Sequence, residues 1–505
     1  MSDLKLVQRL AMRNRGFALV AVLTLALGVS SHAQTGFRVR PLSLKDCIQI
    51  ALEHNLDVKI ERFTPELARY DLDLAKARFE PVFGGSGIHH HGFQNAREDS
   101  TSLVGVTTNR DEFRTGIIGA LPTGMSYELG GDISNTRTRG PFDAEDSVGS
   151  ASITLRQPLL RNSWIDEARL NILVSRKLLD ISELSLRQQI MNTVTSVELA
   201  YYDLKLAQQN VGVQEEALKL AQELLDANKH RVEQGVLAPL DEKQAESQVA
   251  ARRAVLLVAQ NLLAAQQNVM KGLLSDNMAE WRDVLIEPVD EMSAPRAALD
   301  RQSSWRKGLA QRPDFLQAKL DIERLGYVLR YTRNQLYPQL DLVGSYGFSG
   351  TQREYSGALG DIRRGESPSY SYGAVMSIPL GNGTARNKYN ISKAEQQQAL
   401  VKLQQLEQSI MLQIEDAVKL AQTNFDRVGA TREARQFADG ALEAEQTKLE
   451  NGRSTSFIVI QLQRDLTTAR SAEVQALADY NKALAQLAIR EGTVFEKHKL
   501  NVKTR

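Results

Sequence analysis

Two periods divide this chain. From Asp166 to Val232 apolar residues recur every three or four positions, as in Ile190, Val194, Val197, Tyr201, Leu204, Leu218 and Leu225, with Gln, Glu and Lys between them. That is one amphipathic helix. At about 1.5 Å per residue it reaches roughly 100 Å, far beyond a globular helix, so its natural setting is a coiled-coil-like assembly. Gln234-Gly235-Val236-Leu237-Ala238-Pro239 interrupts it: glycine ends helices, and proline opens the next without needing an amide partner. A second helix, Leu240 to about Leu274, is expected to return antiparallel to the first. After Pro81 and again after Pro338 the period becomes two. Leu340, Leu342, Gly344, Tyr346 and Phe348 alternate with Gln339, Asp341, Val343, Ser345 and Gly347, and Tyr370, Tyr372, Ala374, Met376 and Ile378 alternate likewise. These predict strands of about ten residues with one apolar face, the pattern of strands that close into a barrel within lipid.

The pattern occurs twice. Val211-Gly212, Glu216-Ala217, Ala221, Leu225, Ala227, Glu233 and Gly235 return 217 residues later as Val428-Gly429, Glu433-Ala434, Ala438, Leu442, Ala444, Glu450 and Gly452. The segments ahead of each helical hairpin repeat at a spacing of 257: Asn55-Leu56-Asp57 matches Arg312-Pro313-Asp314, and Glu80-Pro81 matches Tyr337-Pro338. A whole strand-plus-hairpin unit is therefore duplicated. The second hairpin is expected from about Ala385 to Leu449, turning at Asn451-Gly452-Arg453-Ser454 and returning through Phe457 to about Arg490. The first copy carries an additional alternating pair around Pro122-Thr123-Gly124, a hairpin signal whose place, in the barrel or projecting from one end, stays open at this level.

Composition adds a destination. Lys5, Arg9, Arg13 and Arg15, then the apolar run Phe17 to Val29, then Ser31-His32-Ala33 read as a leader that is cleaved to leave Gln34 first. No later stretch approaches the roughly 18 apolar residues of a spanning helix, so entry into a membrane is expected through strands. Without the leader the net charge moves from +1 to about −2; no basic patch invites nucleic acid. Cys47 is the single cysteine, so no intrachain disulfide forms, and its apolar-periodic setting predicts a buried thiol.

Catalytic chemistry finds no footing. No nucleophile, base and stabiliser gather on short loops, which points away from an enzyme. His89-His90-His91 is the one cluster that suggests a metal, but neighbours on a strand alternate faces and cannot all reach one ion. Gly84-Gly85-Ser86-Gly87 lacks the Lys and Ser/Thr of a phosphate loop. No cofactor is expected.

"ALEHNLD" at 51–57, "RQPLLR" at 156–161 with "SIPLGNGTAR" at 377–386, and the paired turns "RVEQGVLAPLDE" and "KLENGRSTSFIV" resemble the TolC-type outer-membrane factor family over about 42–491. The resemblance implies an α+β membrane protein, internally duplicated: a homotrimer whose chains share one transmembrane β-barrel in outer-membrane lipid and one long periplasmic α-helical barrel. It implies partners too, a periplasmic adaptor (membrane fusion protein) and an inner-membrane RND or ABC transporter. The chain is then the passive exit duct of a tripartite efflux or type I secretion system. The alternative is a soluble periplasmic coiled-coil adaptor or scaffold. Hairpin tips in the family bind the adaptor and narrow the pore, which makes Gly235, Val236, Leu240, Asp241, Gly452, Ser454, Ser456 and Phe457 the contact candidates. Where well-known members carry paired aspartates beyond the second tip, this chain has Ile458-Val459-Ile460-Gln461. Ile458 and Gln461 are therefore the gate candidates, closing by apolar contact or hydrogen bonding.

The expected division is a signal peptide over 1–33, N-terminal periplasmic helices over 34–80, and barrel strands of repeat one over 81–157 with the extra hairpin at 112–135. The first long hairpin follows over 158–282, a surface linker over 283–305, and a helix of repeat two over 306–337. Strands of repeat two fill 338–379, the second long hairpin 380–491, and a polar tail 492–505.

Overall fold

A computed structural model describes residues 38–97, 103–140 and 143–500; the expected leader lies outside them. Four helices dominate. α3 (Glu167–Glu233) and α4 (Pro239–Leu274) form one hairpin, α8 (Gly383–Glu450) and α9 (Ser456–Glu491) the other. The duplication survives residue for residue: the end of α3 and the end of α8, the starts of α4 and α9, and the ends of α4 and α9 all keep the 217 spacing. Likewise α1 (Leu44–His54) and α2 (Leu56–Lys76) stand 257 residues before α5 (Arg301–Gln311) and α6 (Pro313–Asn334), with Asn55 and Arg312 as the hinge residues between the members of each pair.

α3 and α8 run the full length of the helical layer. Around α3, α2 and α6 flank the half nearer the strands, and α4 and α9 flank the half nearer the tips. The lateral order is thus α2 with α4, then α3, then α6 with α9, then α8. The edges of the protomer are α2 and α4 on one side and α8 on the other.

Among the described residues the longer strands make one six-stranded antiparallel sheet in the order β2 (Val82–Arg97), β3 (Leu103–Ala120), β4 (Ser126–Arg139), β5 (Ala144–Pro158), β7 (Gln339–Gln352), β8 (Pro368–Ser377). The extra hairpin of copy one lies inside this sheet: β3 pairs with β2 through Phe113↔Gly87, and β4 with β5 through Ile133↔Gly149. Its turn is tight, with Gly124 at φ +86 and its amide donating to the Leu121 carbonyl at 2.8 Å. A positive φ is where glycine avoids the penalty of a Cβ. Pro81 and Pro338 each stand immediately before a first strand, where no ladder amide is required.

Four expectations need correction. The segment 283–305 is not merely a surface linker: β6 (Val284–Pro288) pairs in parallel with β1 (Arg38–Leu42), a strand unforeseen within 34–80, and α5 begins at Arg301. Copy two is not only strands over 338–379, since α7 (Tyr355–Arg364) stands between β7 and β8. The tail after Gly492 contains α10 (Val494–His498), with Val494 buried.

β1, β6, α1 and α10 form a belt on one face of α3, with the main core between. Cys47, Ile48, Ala51 and Val58 meet Ile190, Val194, Val197, Tyr201 and Leu204 of α3, together with Met270 and Leu274 of α4. The Gln267 side-chain amide donates to the Ile286 carbonyl at 2.7 Å and its oxygen accepts from the Ile286 amide at 2.9 Å, which holds β6 on α4 although Gln267 is buried. Burial pushes the Cys47 thiol up to about 12, so the thiolate that would react is suppressed and the residue packs as a small hydrophobe.

Candidate functional site

The two faces of the sheet differ in chemistry. On one face lie Phe83, Phe113, Ile117, Tyr127, Leu129, Ile133, Ile153, Leu155, Tyr346, Phe348, Tyr370 and Tyr372, adjacent across the ladder by register. Most of them are open to the surroundings, with Tyr372 84% and Phe83 73% exposed. In water such a patch would be costly; in hydrocarbon it is the required surface. The opposite face carries Glu112, Arg114, Glu128, Asp132, Ser150, Ser152, Arg156 and Asp341. There Ser150 donates to Asp132 at 2.5 Å and Arg156 pairs with Asp341 at 2.6 Å. An apolar exterior and a polar, charged lining are what a water-filled barrel needs.

Farther along the strands, beyond Phe113, the apolar face turns polar. The ring nitrogen Nδ1 of His89 lies 2.6 Å from the Asp111 carboxylate and that of His91 2.7 Å from the Asn109 side-chain oxygen. Both are exposed cross-strand pairs.

At the opposite pole the hairpin tips lie side by side. Gly235 (φ +74) and Gly452 (φ +70) end their helices in the same way. The Gly235 amide donates to Val232 and the Val236 amide to Arg231; the Gly452 amide donates to Leu449 and the Arg453 amide to Lys448. Val236, Leu240 and Phe457 are exposed apolar side chains at this end, and Ile458 is 41% exposed. Asp241 is half-buried, Gln461 is exposed, and both tip glycines face open space. Ser454 is tied inward: its hydroxyl donates to Glu445 at 2.5 Å, and Lys448 with Ser454 holds the Glu445 carboxyl below its ordinary range.

Ser456 is placed otherwise than a contact residue requires. It is buried, and its hydroxyl donates to the Asn228 side-chain oxygen at 3.0 Å, joining α9 to α3. Asn228 also donates to the Asp241 carbonyl at 3.4 Å, and Arg231 to the Leu449 carbonyl at 3.4 Å. These two residues interlock the tips, beside a cluster of Leu224, Leu442, Leu449, Val459 and Leu466. The signal for Asn228 was present: it continues the stripe Ala217, Ala221, Leu224, where a polar residue facing a neighbouring helix needs a partner.

Replacing Gly452 by Leu forces a branched side chain into the left-handed region, at a cost of about 1–2 kcal/mol confined to the tip. Insertion of the sheet into membrane should persist; if the tip docks an adaptor, crosslinking there falls several-fold. Unchanged crosslinking would count against the tip as the docking end.

The outer membrane efflux protein family matches residues 122–274 and 306–490 of this chain. Outer membrane efflux protein BepC of Brucella suis is 22% identical over 368 residues, 72% of this chain and 76% of that one. Cation efflux system protein CusC of Escherichia coli K12 is 23% identical over 444 residues, 87% of this chain and 83% of its own. The fold matches the outer membrane protein VceC of Vibrio cholerae with a TM-score of 0.65 at 17% identity, covering 89% of this chain and 96% of that one. It also matches the CmeC outer membrane channel of Campylobacter jejuni, with a TM-score of 0.64 at 16% identity over 89% and 85% of the two chains. With an apolar sheet face, a charged lining and two long hairpins matched over both repeats, the chain belongs to the outer membrane efflux protein family, an outer-membrane channel of the kind that serves tripartite efflux systems, in a family of ducts and not of enzymes.

Proposed function

We propose that three copies of this chain close head to tail into one passive exit duct, driven by an inner-membrane RND or ABC transporter through a periplasmic adaptor that docks at the hairpin tips. The observation that carries this reading is the unfinished state of both edges. β2 and β8 are the outer strands of the sheet, and lipid offers no partner to an unpaired edge. Below β2, α2 exposes Ile60, Phe63, Leu67 and Leu74, and α4 exposes Val255, Val258 and Leu262; below β8, α8 exposes Val401, Leu412 and Leu420. Two different edges, each apolar, fit a rotational ring in which one edge meets the other.

Three sheets of six strands give a barrel of eighteen, a size that leaves an aqueous channel. Sedimentation of the detergent-solubilised protein should give three chains per particle, and planar bilayers should show small or rare openings while the tips are closed. A stable monomer would overturn the reading. The soluble-adaptor alternative does not account for a sheet whose aromatic face is open.

The gate follows from the tips. Ile458 and Gln461 stand one turn apart on α9, both reachable by solvent, and neither is charged. Closure then rests on apolar contact and amide hydrogen bonds, with weak attraction for cations. Installing carboxylates as Ile458→Asp with Gln461→Asp gathers six negative charges in a trimer. Block of the open channel by divalent cations should strengthen about tenfold or more. No change in block would place the constriction elsewhere.

A further inference from the structure

We infer that the junction between the sheet and the helices holds a binding site for an anionic phospholipid of the periplasm-facing leaflet of the outer membrane. A groove of about 750 Å³ opens there, floored by α3 and walled by the ends of α2 and α6 and the β3–β4 turn at Pro122. Ile172 and Leu173 supply an apolar floor, and Trp164, 87% exposed, and Tyr337 stand at its margins. Arg176, Arg330 and Arg333 line it as well. All three are exposed, and among the described residues none has a carboxylate within salt-bridge distance. Arg330 lies over the Tyr327 ring at 5.9 Å.

The inference rests on the channel reading, which decides which way the groove faces. On α3 the belt packs against Ile190, Val194, Val197, Tyr201 and Leu204. Stepped back by about 3.5 residues, the coiled-coil repeat, the same stripe passes through Arg176, Ile172–Leu173 and Arg169. The groove therefore shares the belt's face. A belt of strands and helices inside a duct would fill it, so that face is the outside, level with the periplasmic end of the lipid-facing strands.

An apolar groove that continues the hydrocarbon surface, edged by aromatic residues and three uncompensated guanidiniums, suits one ligand chemistry. An acyl chain lies along the floor and a phosphate accepts from the arginines, whose planar forks match it. Neutralising these charges by lipid would also fix the angle at which sheet and helices meet.

The test uses the full-length trimer extracted from vesicles of phosphatidylglycerol and phosphatidylcholine in equal amounts, with retained lipid counted by native mass spectrometry. Phosphatidylglycerol should be enriched, and each of Arg176→Gln, Arg330→Gln and Arg333→Gln should lower retention about fivefold. Brominated phosphatidylglycerol should quench tryptophan fluorescence, and Trp164→Phe should remove most of that quenching. Equal retention of both lipids, or full retention in the triple arginine variant, would overturn the site. So would displacement of the lipid by millimolar inorganic phosphate, which marks a simple anion site. Trimeric assembly and conductance are measured on the same preparations: their loss in the unaltered protein would sink the channel reading itself, whereas intact channels without lipid preference sink only this inference.

Discussion

An arginine in place of Ile153 should keep the chain from assembling in the outer membrane, while an arginine in place of the adjacent Ser152 should not. Ile153 lies on β5, an inner strand, paired with Leu129 on one side and Tyr346 on the other, in the middle of the apolar face. A lipid-facing Arg near the bilayer midplane costs about 2–4 kcal/mol per chain, and a trimer bears it three times. Ser152 alternates to the charged lining with Ser150 and Asp132, where a guanidinium stays in water. Its effect should be on the pore: lower conductance and altered ion preference with normal insertion. Heat-resistant trimer in the outer-membrane fraction is the first measurement and single-channel conductance the second. Equal insertion of both variants would mean that the two faces of the sheet have been assigned to the wrong solvents.

That assignment was legible in the sequence because a period of two shows which residues share a face. The long helices were legible for the same kind of reason: apolar recurrence over α3 and α8 is a local signal repeated many times, and the glycine and proline at each turn punctuate it. The partners of each strand were not. Nothing local in Phe113–Gly119 or Met125–Ile133 distinguishes a hairpin inserted between β2 and β5 from one projecting outward, because the deciding hydrogen bonds join distant residues, such as Val82 with Ile118. In retrospect the two repeat spacings differ by forty residues, which is the net length that copy one adds between its first strand and its long helix.

Of the belt, the helix α1 was legible within 34–80, but its two strands and α10 were missed because they are short. Arg38–Leu42 and Val284–Pro288 are five residues each and pair across nearly the whole first repeat. At the tips, the sequence showed where the chain turns but not which side chains face another helix. Gly235, Val236 and Phe457 remain at the surface, whereas Ser456, two residues before Ile458, is spent on Asn228. A step of one or two residues along the helix separates a side chain free for a partner from one committed to the protomer.

The other large effect is expected at Glu198, far from both pore ends. This carboxylate is 2% exposed on α3, and the C-terminal helix α10 reaches it with an ammonium and an imidazole: Lys497 Nζ at 2.6 Å and His498 Nε2 at 3.0 Å. Burial alone pushes the Glu198 carboxyl up, but the hydrogen bonds and charges of His498 and Lys497 outweigh it and leave it below its ordinary value. A carboxyl with a lowered folded pKa stabilises the folded state above its unfolded pKa, and the contribution is lost as pH falls through the folded value. Removing one member of a buried pair costs about 3–5 kcal/mol; Lys497 is 33% exposed, which places Glu198→Ala near the lower end. Glu198→Gln keeps the shape and loses the charge, so it should sit between the two. In the unaltered protein α10 amides should be protected from hydrogen exchange at neutral pH and lose protection on acidification. In both variants they should exchange rapidly at neutral pH, with little further change in acid. Because Val494 of α10 belongs to the same core cluster as Met191 and Val194, release of α10 should also lower the thermal midpoint of the trimer without changing conductance through the strands. If α10 stays equally protected in Glu198→Ala across the pH range, Val494 and its apolar contacts hold the C-terminus, and the buried carboxylate contributes nothing to docking it.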